Sequence, residues 1–244
     1  FLLNVRKSLP PVEATKEGDS MQIEQPSLKT LHTILKGEPT IDLTLDFLSR
    51  HNHTDLLILK TIKNAVESRA SILHSGTIYA NALMHSGTTS DIFLHENLDW
   101  LSRATNWAKF SAIAGLGVIH KGHIKEGFNI LKNYLPVAGV SGSAFSEGGS
   151  LFALGLIHAN WGDPVLDYLV EALKYANEIV QHGACLGLGV AAMATGNETI
   201  YDELKNILFS DSAVAGEAAG LAMGLTMLGT ASTKAIDEML TYTH

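Results

Sequence analysis

Little in this 244-residue chain is charged and little is aromatic: the fractions are 17% and 7%. An apolar fraction of 46% excludes a wholly disordered chain. Cysteine occurs once, at Cys185, so no internal disulfide is available, which fits a reducing compartment. Lys and Arg number 17 against 25 Asp and Glu, for a net charge of −8, and they form no cluster. That balance argues against nucleic acid as the main partner. No stretch shows the period-two alternation of a half-buried strand. The longest apolar run, residues 213–229, contains Glu217 and falls short of the ~20 residues a membrane span requires, so no membrane partner is expected. The opening segment, Phe1 to Ser8, lacks the apolar core of a signal peptide. Because the first residue is Phe and not Met, the chain is expected to be part of a longer one.

What the chain does have is glycine, 22 in all, in a recurring pattern. Residues 148–162 read as a buried helix with a glycine stop, and variants recur at 112–122, 183–196 and 216–229, with a weaker copy at 75–87. The closing glycines Gly87, Gly122, Gly162, Gly196 and Gly229 are separated by 35, 40, 34 and 33 residues. A period in this range predicts stacked two-helix units.

Residues 1–26 combine prolines with acidic and polar residues and lack apolar periodicity, which predicts a flexible linker. Residues 27–244 are expected to form the helical repeat domain. Three amphipathic helices come first: one capped by Ser27 and stopped at Gly37, one ending near Arg50, and one capped by Thr54 or Asp55. From residue 71 the chain alternates inner helices rich in small residues with ordinary amphipathic ones. The inner helices are expected at 71–86, 107–121, 144–160, 180–195 and 213–228. Outer helices are expected at 90–104 and 124–135, and after an Asp163-Pro164 start.

Glycine inside a helix costs about 1 kcal/mol relative to alanine. Gly183 and Gly187, and likewise Gly216, Gly220 and Gly224, recur at four-residue spacing on one helix face. Such a face is useful where backbones nearly touch. Gly115, Gly117, Gly155 and Gly189 are assigned the same packing role. The five closing glycines are read as left-handed helix stops. The first unit has Ala80 where later ones have Gly155 and Gly189, and the fifth has Ala222 there.

Eleven histidines raise the question of metal, but the pairs His120/His123 and His51/His53 lack a zinc-type ligand pattern. His158 repeats the place of His120, which points to a recurring packing role. Cys185 has no visible base for nucleophilic chemistry. Trp100, Trp107 and Trp161 are read as core or groove residues. Glu147, Asp163, Asp202 and Glu217 leave one enzymatic alternative open, an α/α-toroid hydrolase with paired carboxylates. No catalytic, metal or cofactor site is assigned.

The segments Asn106-Trp-Ala-Lys-Phe110, Gly115-Leu-Gly-Val-Ile-His-Lys-Gly122, Gly148-Gly-Ser-Leu-Phe-Ala-Leu-Gly-Leu-Ile-His-Ala-Asn160 and Gly216-Glu-Ala-Ala-Gly-Leu-Ala-Met-Gly224 resemble the proteasome/cyclosome repeats. The resemblance implies an all-α solenoid that curls into a toroid, with the small-residue helices as the inner ring. It also implies a non-catalytic scaffold in the proteasome regulatory particle, in cytoplasm and nucleus. The partners it implies are the deubiquitinating lid, the ATPase base and a ubiquitin receptor.

Overall fold

The computed structural model describes residues 30, 33–35, 37–66, 71–137, 142–159 and 161–242. The linker expected over 1–26 and the Ser27 cap lie outside these residues. The described residues contain thirteen α-helices, one 3₁₀ turn and no strand, so the chain is an all-α solenoid. No described helix is long and apolar enough to cross a membrane.

Two helices lead into the array. α1, Glu38–Arg50, follows Gly37 at φ 89° and carries Pro39 in its first turn, where the missing N–H is no loss. α2, Leu56–Ala65, starts at Asp55, whose carboxylate accepts from the Leu57 amide at 2.8 Å. Five inner helices then recur, each of 14 residues: α3 (Ser71–Met84), α6 (Asn106–Ile119), α8 (Ala144–Ile157), α10 (Glu178–Ala191) and α12 (Ala213–Thr226). Their starts fall within two residues of the periodicity reading; their ends come two to four residues earlier than expected, the largest difference being at Ala191 against an expected 195.

The outer elements are less regular. The helix expected over 90–104 is two short ones, α4 (Ile92–His95) and α5 (Leu98–Leu101). Asn97 separates them: its side-chain amide donates to the Phe93 carbonyl at 2.6 Å, competing with the backbone ladder. The expected 124–135 helix is a 3₁₀ turn, Ile124–Glu126, followed by α7, Gly127–Leu131. Asp163 does not cap the next helix. The Val165 amide bonds to the Gly162 carbonyl, 163–165 form a turn, and α9 runs Leu166–Ala172. α11 (Glu198–Leu208) and α13 (Thr233–Tyr242) are the fully formed outer helices. Asn177 and Asn197 cap α10 and α11, each accepting from two backbone amides.

The main core lies where inner and outer layers meet in the third to fifth units. Leu151, Leu154, Leu169, Leu188, Tyr201 and Leu204 are fully buried there. A second cluster, with Leu59, Ile78, Phe93 and Trp100, joins α2 to the first unit. Among the described residues, three of the four junctions between units are also stitched through backbone, the one between the third and fourth being the exception. Gly87 and Thr89, in the turn after α3, donate to the Val118 and Ile119 carbonyls at the end of α6. Gly122 donates to Ile157, and Ala194 and Gly196 donate to Leu225 and Thr226. These bonds satisfy carbonyls that a helix C-terminus otherwise leaves unpaired.

Candidate functional site: a register of small residues and its open face

Counting from the first residue of each inner helix, position twelve of one rests on position ten of the next. A Cβ on Gly117 would lie 2.5 Å from Ala153 backbone, and one on Gly189 would lie 2.6 Å from the Ala222 Cα. One on Gly155 would overlap the Gly187 backbone outright. At the first junction, a Cβ on Gly115 would meet the Ala82 Cβ at 3.4 Å, tight but nearer to ordinary contact. A second row crosses at positions five and six: Gly183 would overlap Gly148, and Gly149 would come 2.5 Å from the Phe110 carbonyl oxygen. Gly187 also meets the Leu151 carbonyl. These helices lie close enough for backbone to touch backbone, which explains glycine in helix interiors despite its propensity cost.

Three assigned packing glycines do not share this environment. Cβ atoms on Gly216, Gly220 and Gly224 would meet nothing closer than ordinary contact: Leu208 at 3.6 and 3.8 Å, the Tyr242 hydroxyl at 3.9 Å and Met239 at 4.0 Å. The reason is register. The closing glycine follows the helix end by three residues in units one, two and five, but by five in units three and four. Alignment on closing glycines therefore shifts the fifth unit by two. The counterparts of Gly183, Gly187 and Gly189 are Ala218, Ala222 and Gly224, and Ala82, not Ala80, matches Gly155. Ala218 and Ala222 are buried against α10, whereas Gly224 has no neighbour in its row and is exposed.

The closing glycines also divide. Gly87, Gly122, Gly196 and Gly229 take positive φ, where glycine is the least strained residue. Gly162 does not; it is buried, and a Cβ there would overlap the Ala191 carbonyl, so it serves packing rather than the turn. Gly148 and Gly149 belong with the packing set. Their signal was the adjacent pair inside an apolar helix.

The histidines at the inner-helix ends are buried and structural in their contacts. His85 and His158 donate from Nδ1 to the carbonyls of Asn81 and Leu154, four residues back. Burial holds the His158 pKa below its ordinary value. His182 donates across units to the Val214 carbonyl at 2.7 Å. Trp107 packs edge-on against Phe110, Phe145 and His182, while Trp100 is buried under His74. Cys185 is fully buried, and desolvation pushes its thiol up to about 12, so it stays protonated at neutral pH.

Glu147 lies in α8, Asp163 in the loop before α9, Asp202 in α11 beside Lys234, and Glu217 on the exposed side of α12. The four therefore do not form one constellation. Glu238 is perturbed in the opposite sense to a general acid: the Lys205 ammonium, and then the Tyr201 hydroxyl, hold it below the usual carboxylate range. Among the described residues no three His, Cys, Asp or Glu side chains gather as metal ligands.

The two ends of the array are different from its middle. On α12, Glu217, Leu221, Gly224 and Leu228 face outward, and Ile236 and Leu240 of α13 continue that surface. On α3, Ile72, Gly76 and Leu83 are likewise exposed. These side chains are exposed at the two ends of the stack of inner helices.

Stacked inner helices in a fixed small-residue register define a helical repeat protein, and residues 183–217 match the family described as Proteasome/cyclosome repeat. The whole chain is homologous to part of the larger non-ATPase regulatory subunits of the 26S proteasome. It is 61% identical over 220 residues to 26S proteasome non-ATPase regulatory subunit 1 homolog A of Arabidopsis thaliana, covering 89% of this chain and 22% of that protein. Homolog B of the same plant is 53% identical over 282 residues, covering 100% and 28%. The 26S proteasome regulatory subunit RPN2 of Saccharomyces cerevisiae is 43% identical over 222 residues, covering 88% and 23%. The chain thus spans about a quarter of the length of these relatives.

Proposed function

We propose that residues 27–244 act as one repeat domain of a non-catalytic scaffold in the proteasome regulatory particle. In this reading the domain organises contacts among the deubiquitinating lid, the ATPase base and a ubiquitin receptor during ubiquitin-dependent degradation, in cytoplasm and nucleus. It needs no cofactor. The observation that carries the reading is the backbone-to-backbone stacking of α6, α8, α10 and α12, which builds a stiff platform rather than a cleft. The names of the relatives place those proteins in the same assembly. The repeats are read as an arc of a ring whose inner wall is the small-residue layer. The packing glycines Gly117, Gly155, Gly183, Gly187 and Gly189 keep that arc rigid, and the turn glycines set the reversal between layers.

The test is a chimera. The matching segment of the budding-yeast relative is replaced by residues 27–244, and particles are resolved on native gels with a fluorogenic peptide overlay. Restored growth and intact capped particles are the expected result. A chimera that accumulates in soluble, full-length form yet yields only free core particles overturns the scaffold reading.

A further inference from the structure

The first and second units meet around a single carboxylate. Asp91 stands at the N-cap of α4, and its Oδ2 accepts from His95 Nε2 at 3.1 Å and from His120 Nε2 at 3.4 Å. His120 is the C-cap residue of α6, and its side chain is only 7% exposed. The His123 ring stacks on it with centroids 5.9 Å apart and planes at 21°. Asp91, His95 and His123 are the charged or titratable groups that act on His120.

Donation from Nε2 to Asp91 leaves Nδ1 of His120 as the unprotonated nitrogen. That atom is buried without a hydrogen-bond partner, and so is Nδ1 of His123. A second proton on His120 therefore creates a buried N–H with nothing to receive it. It also sets a cation against two other imidazoles, while one carboxylate can balance only one of them. His158, at an equivalent helix end, differs because its Nδ1–H bonds to the Leu154 carbonyl and neither ring nitrogen is left buried without a partner; His85 also donates from Nδ1 to a carbonyl, that of Asn81, but its Nε2 is buried unpaired and it lacks a carboxylate partner.

We infer that this contact is an acid-sensitive joint: protonation of His120 parts the turn of the first unit from the end of α6. What parts is identifiable. The Gly87 amide bonds to the Val118 carbonyl and the Thr89 amide to the Ile119 carbonyl, both at 3.0 Å. The junction between the fourth and fifth units has the same pair of bonds, from Ala194 to Leu225 and from Gly196 to Thr226, both at 2.9 Å. Its helix ends carry Ala192 and Met227 instead of histidine. It is a built-in control.

The electrostatics agree in sign. Burial, as the largest influence, holds His120 below its ordinary value of 6.5, against the pull of Asp91; His123 and His95 add to the depression. A base depressed in the folded state favours folding fully above its unfolded value, and that contribution is lost as the pH falls below 6.5 toward the folded value.

The joint is tested by amide hydrogen exchange and histidine ring titration on the whole chain between about pH 7.5 and 5, with rates normalised to the unstructured peptide. Protection at Gly87 and Thr89 is expected to fall by up to about tenfold per pH unit as the pH drops from 6.5 toward the lower folded value, the limit for one linked proton. Protection at Ala194 and Gly196 stays level. His120→Gln keeps a donor toward Asp91 but does not titrate, and removes the difference between the junctions. Asp91→Asn, a second variant should the first misfold, deepens the loss at a given pH because the balancing charge is gone. A ring titration of His120 at or above 6.5, equal acid responses at the two junctions, or an unchanged response in folded His120→Gln overturns the inference.

Discussion

The fourth and fifth inner helices each carry three glycines in their interiors, yet the two sets have opposite surroundings. In α10, Gly183, Gly187 and Gly189 each sit where a methyl group would strike the backbone of a neighbouring helix. In α12, Gly216, Gly220 and Gly224 have room for one. Glycine content is therefore not a measure of close approach. Position within the helix decides, together with whether a following helix occupies that face.

The comparison can be broken most sharply at Gly155, whose Cβ would overlap Gly187 backbone. Gly155→Ala is expected to destabilise by about 3 kcal/mol or more, since backbone cannot yield as a side chain does. For a domain of this size that lowers the melting temperature by roughly 6–12 °C, read by calorimetry. A melting point equal to that of the parent chain would remove the basis for close packing in the middle of the array.

The caps sharpen the comparison, because capping is local and should ignore position in the stack. Asn177 accepts from the Ile179 and Val180 amides at the start of α10, and Ser212 from the Ala215 amide at the start of α12. Replacing either by alanine should cost about 1 kcal/mol in urea denaturation. A much larger loss at Asn177 would mean that depth in the array, rather than the individual contact, sets the energetics.

The smallest effect has the opposite sign. Gly224→Ala adds a methyl that touches nothing closer than the Met239 Cε at 4.0 Å, on an exposed face. It should stabilise this chain by up to about 1 kcal/mol through helix propensity. Destabilisation would show that the outer face of α12 is already occupied in solution.

The architecture was legible because it rests on spacing. The period of the closing glycines, the small-residue helices and the amphipathic ones between them all follow from local pattern. Register was not legible, and Gly162 shows why. It looks like Gly122 in sequence, but it lies five residues beyond α8 where Gly122 lies three beyond α6, and it is pressed against the Ala191 carbonyl. Two residues of difference in where a helix stops move every later residue to another face, and no propensity records that. The broken outer helix at Asn97 depended on a single side chain choosing the Phe93 carbonyl over water. Pro164 reads equally well as a first helical residue or as part of a turn, and the Gly162 carbonyl decides for the turn.

The hydrogen bonds that run from the turns after α3, α6 and α10 to the end of the next inner helix give the array a direction of growth. α6, α8 and α12 all receive donors from the unit that precedes them in the chain, and the Met84 carbonyl at the end of α3 receives the Thr54 hydroxyl. A polypeptide leaving the ribosome N-terminus first thus presents the donors to these helices in advance: they are in place before the last turn that accepts from them is made. Assembly in that order does not ask these helices to wait, bare-ended, for a part not yet synthesised.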